Sequence, residues 1–261
     1  MANILQKIID HKLQEIEAAK QATPLAQLQD QISDAPPVRG FLQAINASSE
    51  ISLIAEVKKA SPSKGIIRED FDPLVTAEAY QAAGATCISV LTDEHFFQGR
   101  LEYLTAIRQR VELPLLRKDF IVDPYQVFEA RVAGADAVLL IAECLTADQL
   151  QELHDQIVAL EMTPLVELYR EDNLTAVLDC GAKLIGVNNR NLETFETDLN
   201  HCMKMRKAIP EERTVVGESG IFTPADVQLL RNANIDAMLV GESLMREPDI
   251  SQAVRNLLSS T

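Results

Sequence analysis

The chain has 261 residues, 39 acidic against 24 basic for a net charge of −15, and 47% hydrophobic side chains, enough to bury one sizeable core. The acidic surplus repels phosphate backbones and anionic lipid surfaces, so neither nucleic acid nor membrane is an expected partner. A few lysines or backbone N–H groups inside a cleft can still set a local positive field for a small anion.

Cys87, Cys144, Cys180 and Cys202 are far apart, with no Cys-x-x-Cys pair, as free thiols in a reducing compartment would be. The opening MANILQKIIDHKLQEIEAAK carries charges every few residues and no signal-like apolar block, and no apolar run approaches the roughly 20 residues of a membrane span. A cytoplasmic protein is expected.

In chain order, Ile4, Leu5, Ile8, Ile9, Leu13 and Ile16 recur at helical spacing and predict an amphipathic helix over 3–20 whose apolar stripe docks on another element. A weaker helix follows over 24–32, then the Pro and Gly punctuation of SDAPPVRGF, then a short helical stretch over 41–47. Residues 1–48 read as a helical extension and 49–261 as the catalytic unit.

From residue 51 apolar runs alternate with helical patterns: ISLIAEV, TCISVLT, LPLLRK, DAVLLIA, PLVELY, KLIGVNN, RTVVGES and DAMLVG. Stretches between them, such as DPLVTAEAYQAAG and TADQLQELHDQIVALEM, begin with capping residues and repeat apolar positions at helical intervals. Gly84, Gly134, Gly181 and Asn234 recur about every 50 residues at helix ends, so the repeating unit is two βα modules. Eight such units predict a closed (β/α)8 TIM barrel with an N-terminal helical extension. A doubly wound open sheet would more often carry an early Gly-x-Gly-x-x-Gly turn, and the sequence has none.

Barrel chemistry sits at the C-terminal ends of strands. There the runs carry Glu56 and Lys58, Lys118, Glu167, Asn188 and Arg190, and Glu218. Alternation puts Ser52, Ile54, Glu56 and Lys58 on one face, and pairs Leu116 with Lys118, Leu165 with Glu167 and Val216 with Glu218. Any one of these charges is as well explained by a strand end meeting water. Together they exceed what stability asks for, because even paired buried ions are often no better than apolar replacements. Lysines beside carboxylates in such a mouth are expected to titrate nearer neutrality, as general acid catalysis requires.

GESG at 217–220 ends the seventh run, and VGESLM at 240–245 ends the eighth and opens a short helix. This is the usual place of a phosphate cradle in a barrel, built from backbone N–H groups near Gly. Ser61 begins a loop able to bring a hydroxyl over the mouth. Phe97 and Phe120 either plug a loop or stack on an aromatic substrate, and Asp123-Pro124 is a helix cap. His11, His95, His154 and His201 lack metal-ligand spacing, and no nucleophile elbow occurs, which leaves metal-free acid/base or Schiff-base chemistry. A phosphosugar isomerase, a Schiff-base aldolase and a non-catalytic phosphate-binding barrel remain alternatives on these residues alone.

The motifs IAEVKKASPSKG, LRKDFIVDPYQ, PLVELY, IGVNNRNLETF, VGESGI and LVGESLM, in this order, resemble the indole-3-glycerol phosphate synthase family. The resemblance implies ring closure, decarboxylation and dehydration of 1-(2-carboxyphenylamino)-1-deoxyribulose 5-phosphate, with no cofactor, no metal and a phosphorylated small molecule as partner; a monomer is expected. It implies that Lys118 is the general acid of ring closure, Glu167 the base of dehydration, and Lys58 a second acid or a partner for the substrate carboxylate. Glu56 and Asn188 would hold lysines and substrate hydroxyls. Arg190, Glu218 and Ser219 would line the mouth, with Phe97 and Phe120 against the anthranilate ring. Phosphate would lie among Ser61, Gly220, Gly241 and the N–H of Glu242, where relatives carry Ser; the Glu242 carboxylate is therefore expected to turn outward. Tyr169 stands where many members carry His.

Overall fold

The computed structural model describes residues 4–191 and 194–259. Residue 3 of the expected first helix, and Leu192 and Glu193 of IGVNNRNLETF, lie outside them. Three helices come first, close to the expected bounds: α1 (Ile4–Ala22), α2 (Leu25–Gln31) and α3 (Phe41–Asn46). The stripe that α1 buries is not quite the one its apolar residues outline. Ile8, Lys12 and Ile16 are buried, one turn apart, whereas Leu13 is 48% exposed. A lysine takes the buried place because carboxylates of Glu15, Asp93 and Asp119 meet its ammonium at 2.6, 2.9 and 3.0 Å, and a buried cation so paired escapes most of its desolvation penalty.

Eight parallel strands follow: β1 (Ser52–Val57), β2 (Cys87–Leu91), β3 (Leu115–Lys118), β4 (Ala137–Ile141), β5 (Thr163–Leu168), β6 (Leu184–Asn188), β7 (Thr214–Glu218) and β8 (Ala237–Val240). Each pairs with its sequence neighbours, and β1 with β8 closes the barrel. The crossovers run through α4 (Pro73–Ala83), α5 (Leu101–Arg108), α6 (Pro124–Ala133), α7 (Ala147–Ala159), α8 (Leu174–Asp179), α9 (Asn200–Arg206) and α10 (Pro224–Asn232). The short α11 (Glu242–Met245) and α12 (Ile250–Leu258) end the fold. Asp72, Asp123, Thr146 and Thr223 cap α4, α6, α7 and α10 by accepting backbone N–H bonds. The predicted helix-end residues Gly84, Gly134, Gly181 and Asn234 all have left-handed φ.

Because both faces of a parallel barrel are covered, its strands are apolar on both sides. Ile54, Leu116, Leu139, Leu165, Leu184, Val216 and Leu239 fill the interior, while Leu53, Val57, Ile88, Val138, Val166 and Ile185 meet the helices. Phe41 and Ile45 of α3 join the interior cluster. Ser52 at the start of β1 donates to the Ile45 carbonyl at 3.0 Å, and Thr214 at the start of β7 bonds Asn46 at 3.1 Å. The helix α3 is therefore the floor. The loop after β1 contains a feature the sequence reading lacks, an antiparallel two-residue hairpin of Ala60–Ser61 with Gly65–Ile66.

Phe41 is fully buried, so Phe41→Ala should destabilise the protein by about 3–5 kcal/mol. Denaturant midpoints measure this, and a loss under ~1 kcal/mol would mean that the ring does not seal the floor.

Candidate active site

The strand register brings the predicted charges to one level. Asn188 lies opposite Glu218 and Ile141 opposite Glu167 across the C-terminal ends of their strands. One cavity at that end is lined by Glu56, Lys58, Ser61, Phe97, Lys118, Phe120, Glu167, Asn188, Arg190, Glu218, Ser219, Gly220, Gly241 and Glu242, all the candidate site residues. Its lining also includes Ile4, Leu5 and Ile8 of α1 and Ser63, together with Asp119, Phe195 and Phe222, which no sequence signal singled out. The apolar stripe of α1 was legible, and the family resemblance implies an extension packed near the mouth; Ile4, Leu5 and Ile8 are the residues that reach it.

At the centre, Lys118 Nζ lies 2.8 Å from Glu167 Oε2 and 3.3 Å from Glu218 Oε2. Asn188 Nδ2 donates to the other oxygen of Glu167 at 3.1 Å. Beside them Lys58 is ion-paired with Glu56. Two glycines make room for the carboxylates: a Cβ on Gly186 would strike Glu218 Oε1, and one on Gly241 would strike the side chain of Glu56.

These contacts set the protonation of the mouth. Burial alone would lower the Lys118 pKa, but the fields of Glu167, Glu218 and Glu56 outweigh it and raise the pKa above its ordinary value. The expectation that the mouth lysines titrate nearer neutrality is thus reversed at Lys118, because three carboxylates surround one ammonium. Burial works against ionised Glu167, yet Lys118 and the bonds from Glu218, Lys118 and Asn188 hold its pKa below the usual value. Glu218 goes the other way. Burial, only partly offset by Lys118 and reinforced by Glu167, lifts its pKa well above the carboxylate range. The same lysine and the same burial thus push the two glutamates in opposite directions.

The phosphate-cradle residues lie across the mouth. Ser219 and Gly220 both have left-handed φ, at 65° and 78°, and Asn189 holds the turn by donating to the Ser219 carbonyl at 3.0 Å. Ser61 is buried, and its hydroxyl has no hydrogen-bond partner among the described residues. Arg190 reaches Ser63 Oγ and Glu242 Oε2, both at 3.3 Å. The Glu242 carboxylate is not turned outward as expected; Arg190, Arg246 at 3.1 Å and Lys64 at 3.8 Å draw it inward, and its side chain is only 14% exposed. Phe97 and Phe120 face each other with centroids 6.1 Å apart. Tyr169 lies outside the lining, stacked on His201 at 4.5 Å. Arg117 faces the helix layer, bonding the Gln126 carbonyl, Asp119 and Glu129.

Among the described residues no cluster of three or more His, Cys, Asp or Glu could hold a metal, and no helix is long and apolar enough to cross a membrane. Burial pushes up the pKa of all four thiols, which disfavours a thiolate nucleophile.

A family model described as indole-3-glycerol phosphate synthase matches residues 5–257. The chain belongs to the indole-3-glycerol phosphate synthase family. Curated relatives named indole-3-glycerol phosphate synthase come from Rhodopirellula baltica, 54% identical over 98% of this chain and 99% of the relative, and Rippkaea orientalis, 48% identical over 98% and 89%. Solved structures similar to this member of the synthase family include 3-hexulose-6-phosphate synthase from Salmonella typhimurium, with TM-score 0.65 and 13% identity over 79% of this chain and 96% of that one. Another is thiamine phosphate pyrophosphorylase from Pyrococcus furiosus, with TM-score 0.60 and 15% identity over 79% and 93%. At such identities these two share the barrel fold.

The raised Glu218 pKa has a sign that can be tested. An acid whose folded pKa exceeds its unfolded one takes up a proton on folding, so stability falls as pH rises from the unfolded value toward the folded value. Glu218→Gln removes that loss and should stabilise the protein more at pH 8 than at pH 4, by up to about 1.4 kcal/mol for each pH unit between the two pKa values. Denaturant midpoints at both pH values decide it; an equal effect at both would mean that Glu218 is ionised in the native mouth.

Proposed function

We propose that this chain converts 1-(2-carboxyphenylamino)-1-deoxyribulose 5-phosphate to indole-3-glycerol phosphate, carbon dioxide and water, the reaction named by its family, through the residues gathered around Lys118. The observation that carries the assignment of roles is the contact of Lys118 with Glu167 and Glu218 at the foot of a cavity walled by two phenylalanines and, opposite, by Gly220, Gly241 and Arg190.

The aromatic carbon bearing the carboxylate attacks the ketone carbon, and the ketone oxygen takes a proton from Lys118. An ammonium held by neighbouring carboxylates first stabilises the developing oxyanion as a positioned charge and then yields its proton as the C–C bond forms. Carbon dioxide leaves with the ring carbon's carboxyl, and the electrons of the broken C–C bond neutralise the cationic ring system, so no electron sink outside the substrate is required. For dehydration Glu167 takes the proton from the carbon next to nitrogen, while the hydroxyl departs as water on a proton from Lys58. Asn188 fixes the free oxygen of Glu167, and Glu56 holds Lys58.

Phosphate binds to the unpaired Ser61 hydroxyl and the N–H groups at Gly220, Gly241 and Glu242, with Arg190 beside them. The anthranilate ring lies against Phe97 and Phe120. An imine-forming lysine must be a free amine, and the raised Lys118 pKa makes the aldolase reading the weaker one. Residues 1–48 form the extension in this reading and the barrel the catalytic unit, acting as a cytoplasmic monomer.

Lys118→Met should lower kcat by about 10²–10⁴ with substrate affinity largely kept. The assay follows indole fluorescence against the weakly emitting anthranilate, and near-normal turnover would remove Lys118 from the mechanism. In single-turnover experiments Glu167→Gln should let ring closure proceed and accumulate the undehydrated intermediate; an unchanged product rate would exclude Glu167 as the base.

A further inference from the structure

We propose that Lys12, on the N-terminal helix and outside the cavity, is a positioning residue that seats both aromatic walls of the substrate site. Its ammonium is the shared counter-ion of two buried carboxylates, Asp93 Oδ2 at 2.9 Å and Asp119 Oδ1 at 3.0 Å. Each of these holds the backbone of a wall. Asp93 Oδ1 accepts the N–H groups of Phe96 at 2.8 Å and Phe97 at 3.2 Å, and Asp119 Oδ1 accepts the N–H of Phe120 at 2.8 Å. Asp119 also follows Lys118 directly in the chain.

The arrangement depends on the cation. Asp93 and Asp119 have side chains 0% and 2% exposed, just past the ends of neighbouring strands, so without Lys12 like charges would be buried side by side. Thr92 at 2.6 Å and Arg117 at 3.3 Å hold only Asp119, through its other oxygen. For Asp93 Lys12 is the salt-bridge partner. Removing it forces one carboxylate to take a proton or move toward water, and the N–H groups of Phe97 or Phe120 then lose a fixed acceptor. A small displacement of a positioning group far from the reacting atoms is costly to substrate alignment.

The inference rests on the proposed placement of the anthranilate ring against Phe97 and Phe120. The experiment measures kcat and KM for the carboxyphenylamino-deoxyribulose phosphate, and the inhibition constant of inorganic phosphate, in four proteins. They are wild type, Lys12→Met, Phe97→Ala and Ile16→Ala; Ile16 is buried one turn further along the same helix, against Leu28 and Tyr125. Lys12→Met should raise KM about tenfold and leave inhibition by phosphate within about twofold, since only the aromatic end is disturbed. Ile16→Ala should lower stability with KM unchanged. Equal KM increases in Lys12→Met and Ile16→Ala would reduce Lys12 to a docking contact and overturn the proposal, as would an unchanged KM or a parallel loss of phosphate inhibition in Lys12→Met. If Phe97→Ala leaves KM unchanged, the ring placement fails, and the proposal with it; if Phe97→Ala raises KM and Lys12→Met does not, the proposal alone fails. Should Lys12→Met not fold by circular dichroism, Lys12→Gln, which keeps N–H donors without the charge, carries the same comparison.

Discussion

The mouth of this barrel is organised around one ammonium held between two buried glutamates. Lys118, Glu167 and Glu218 come from three different strands; the two glutamates are almost completely removed from water, and the lysine side chain is 14% exposed. Three full charges there would be costly, and burial together with Glu167 raises the Glu218 pKa, which favours its neutral form. Lys118 is consequently an ammonium fixed in charge and place by its neighbours. Such preorganisation is more effective than a lysine tuned to neutrality but free to turn.

Around that centre the two sides of the cavity differ in their physics. On one side the backbone turns at Ser219–Gly220 and Gly241 let Thr197 and Glu56 approach closely, and the cations Arg190, Lys64 and Arg246 gather around Glu242. A strongly acidic protein can therefore carry a locally positive patch, because the distant acidic surface is screened by salt while these cations lie close together. On the other side Phe97 and Phe120 offer apolar faces, backed by the ionic network that reaches Lys12.

Much of this was legible in the sequence because two periodicities overlap in a barrel. Alternation along each strand placed Glu56, Lys118, Glu167 and Glu218 on the inward face, and the βα count put their positions at the same end of the cylinder. Neither argument could give pKa directions, which depend on the number of carboxylates around each nitrogen and hence on register between strands far apart in sequence. The same limit explains Lys12: helical periodicity ranked Leu13 above it, and only the facing Asp93 and Asp119 make the lysine the buried member. Glu242 was read as repelled from an anion site because its three cationic neighbours come from separate loops and helices. Arg117 belongs to the same network, paired with Asp119 and Glu129.

The placement of charge along the barrel axis explains how such a mouth can be stable at all. At the floor, Phe41 and Ile45 close the interior beside hydrogen bonds from Ser52 and Thr214, and the charged pair at that end, Arg108 with Asp136, is buried and ion-paired. Between floor and mouth the inward residues are aliphatic, Ile54, Leu116, Leu165 and Val216 among them, each two residues before a charged one on the same strand face or directly beneath it. Stability is thus supplied by the lower layers, and the top layer is free to carry ionised groups that a purely structural design would replace by valine or leucine. Since the strands are parallel, every one of them delivers its C-terminal end to the same rim. A fold with alternating strand directions would send half of these side chains to the floor, and Lys118 could not meet Glu167 and Glu218 together.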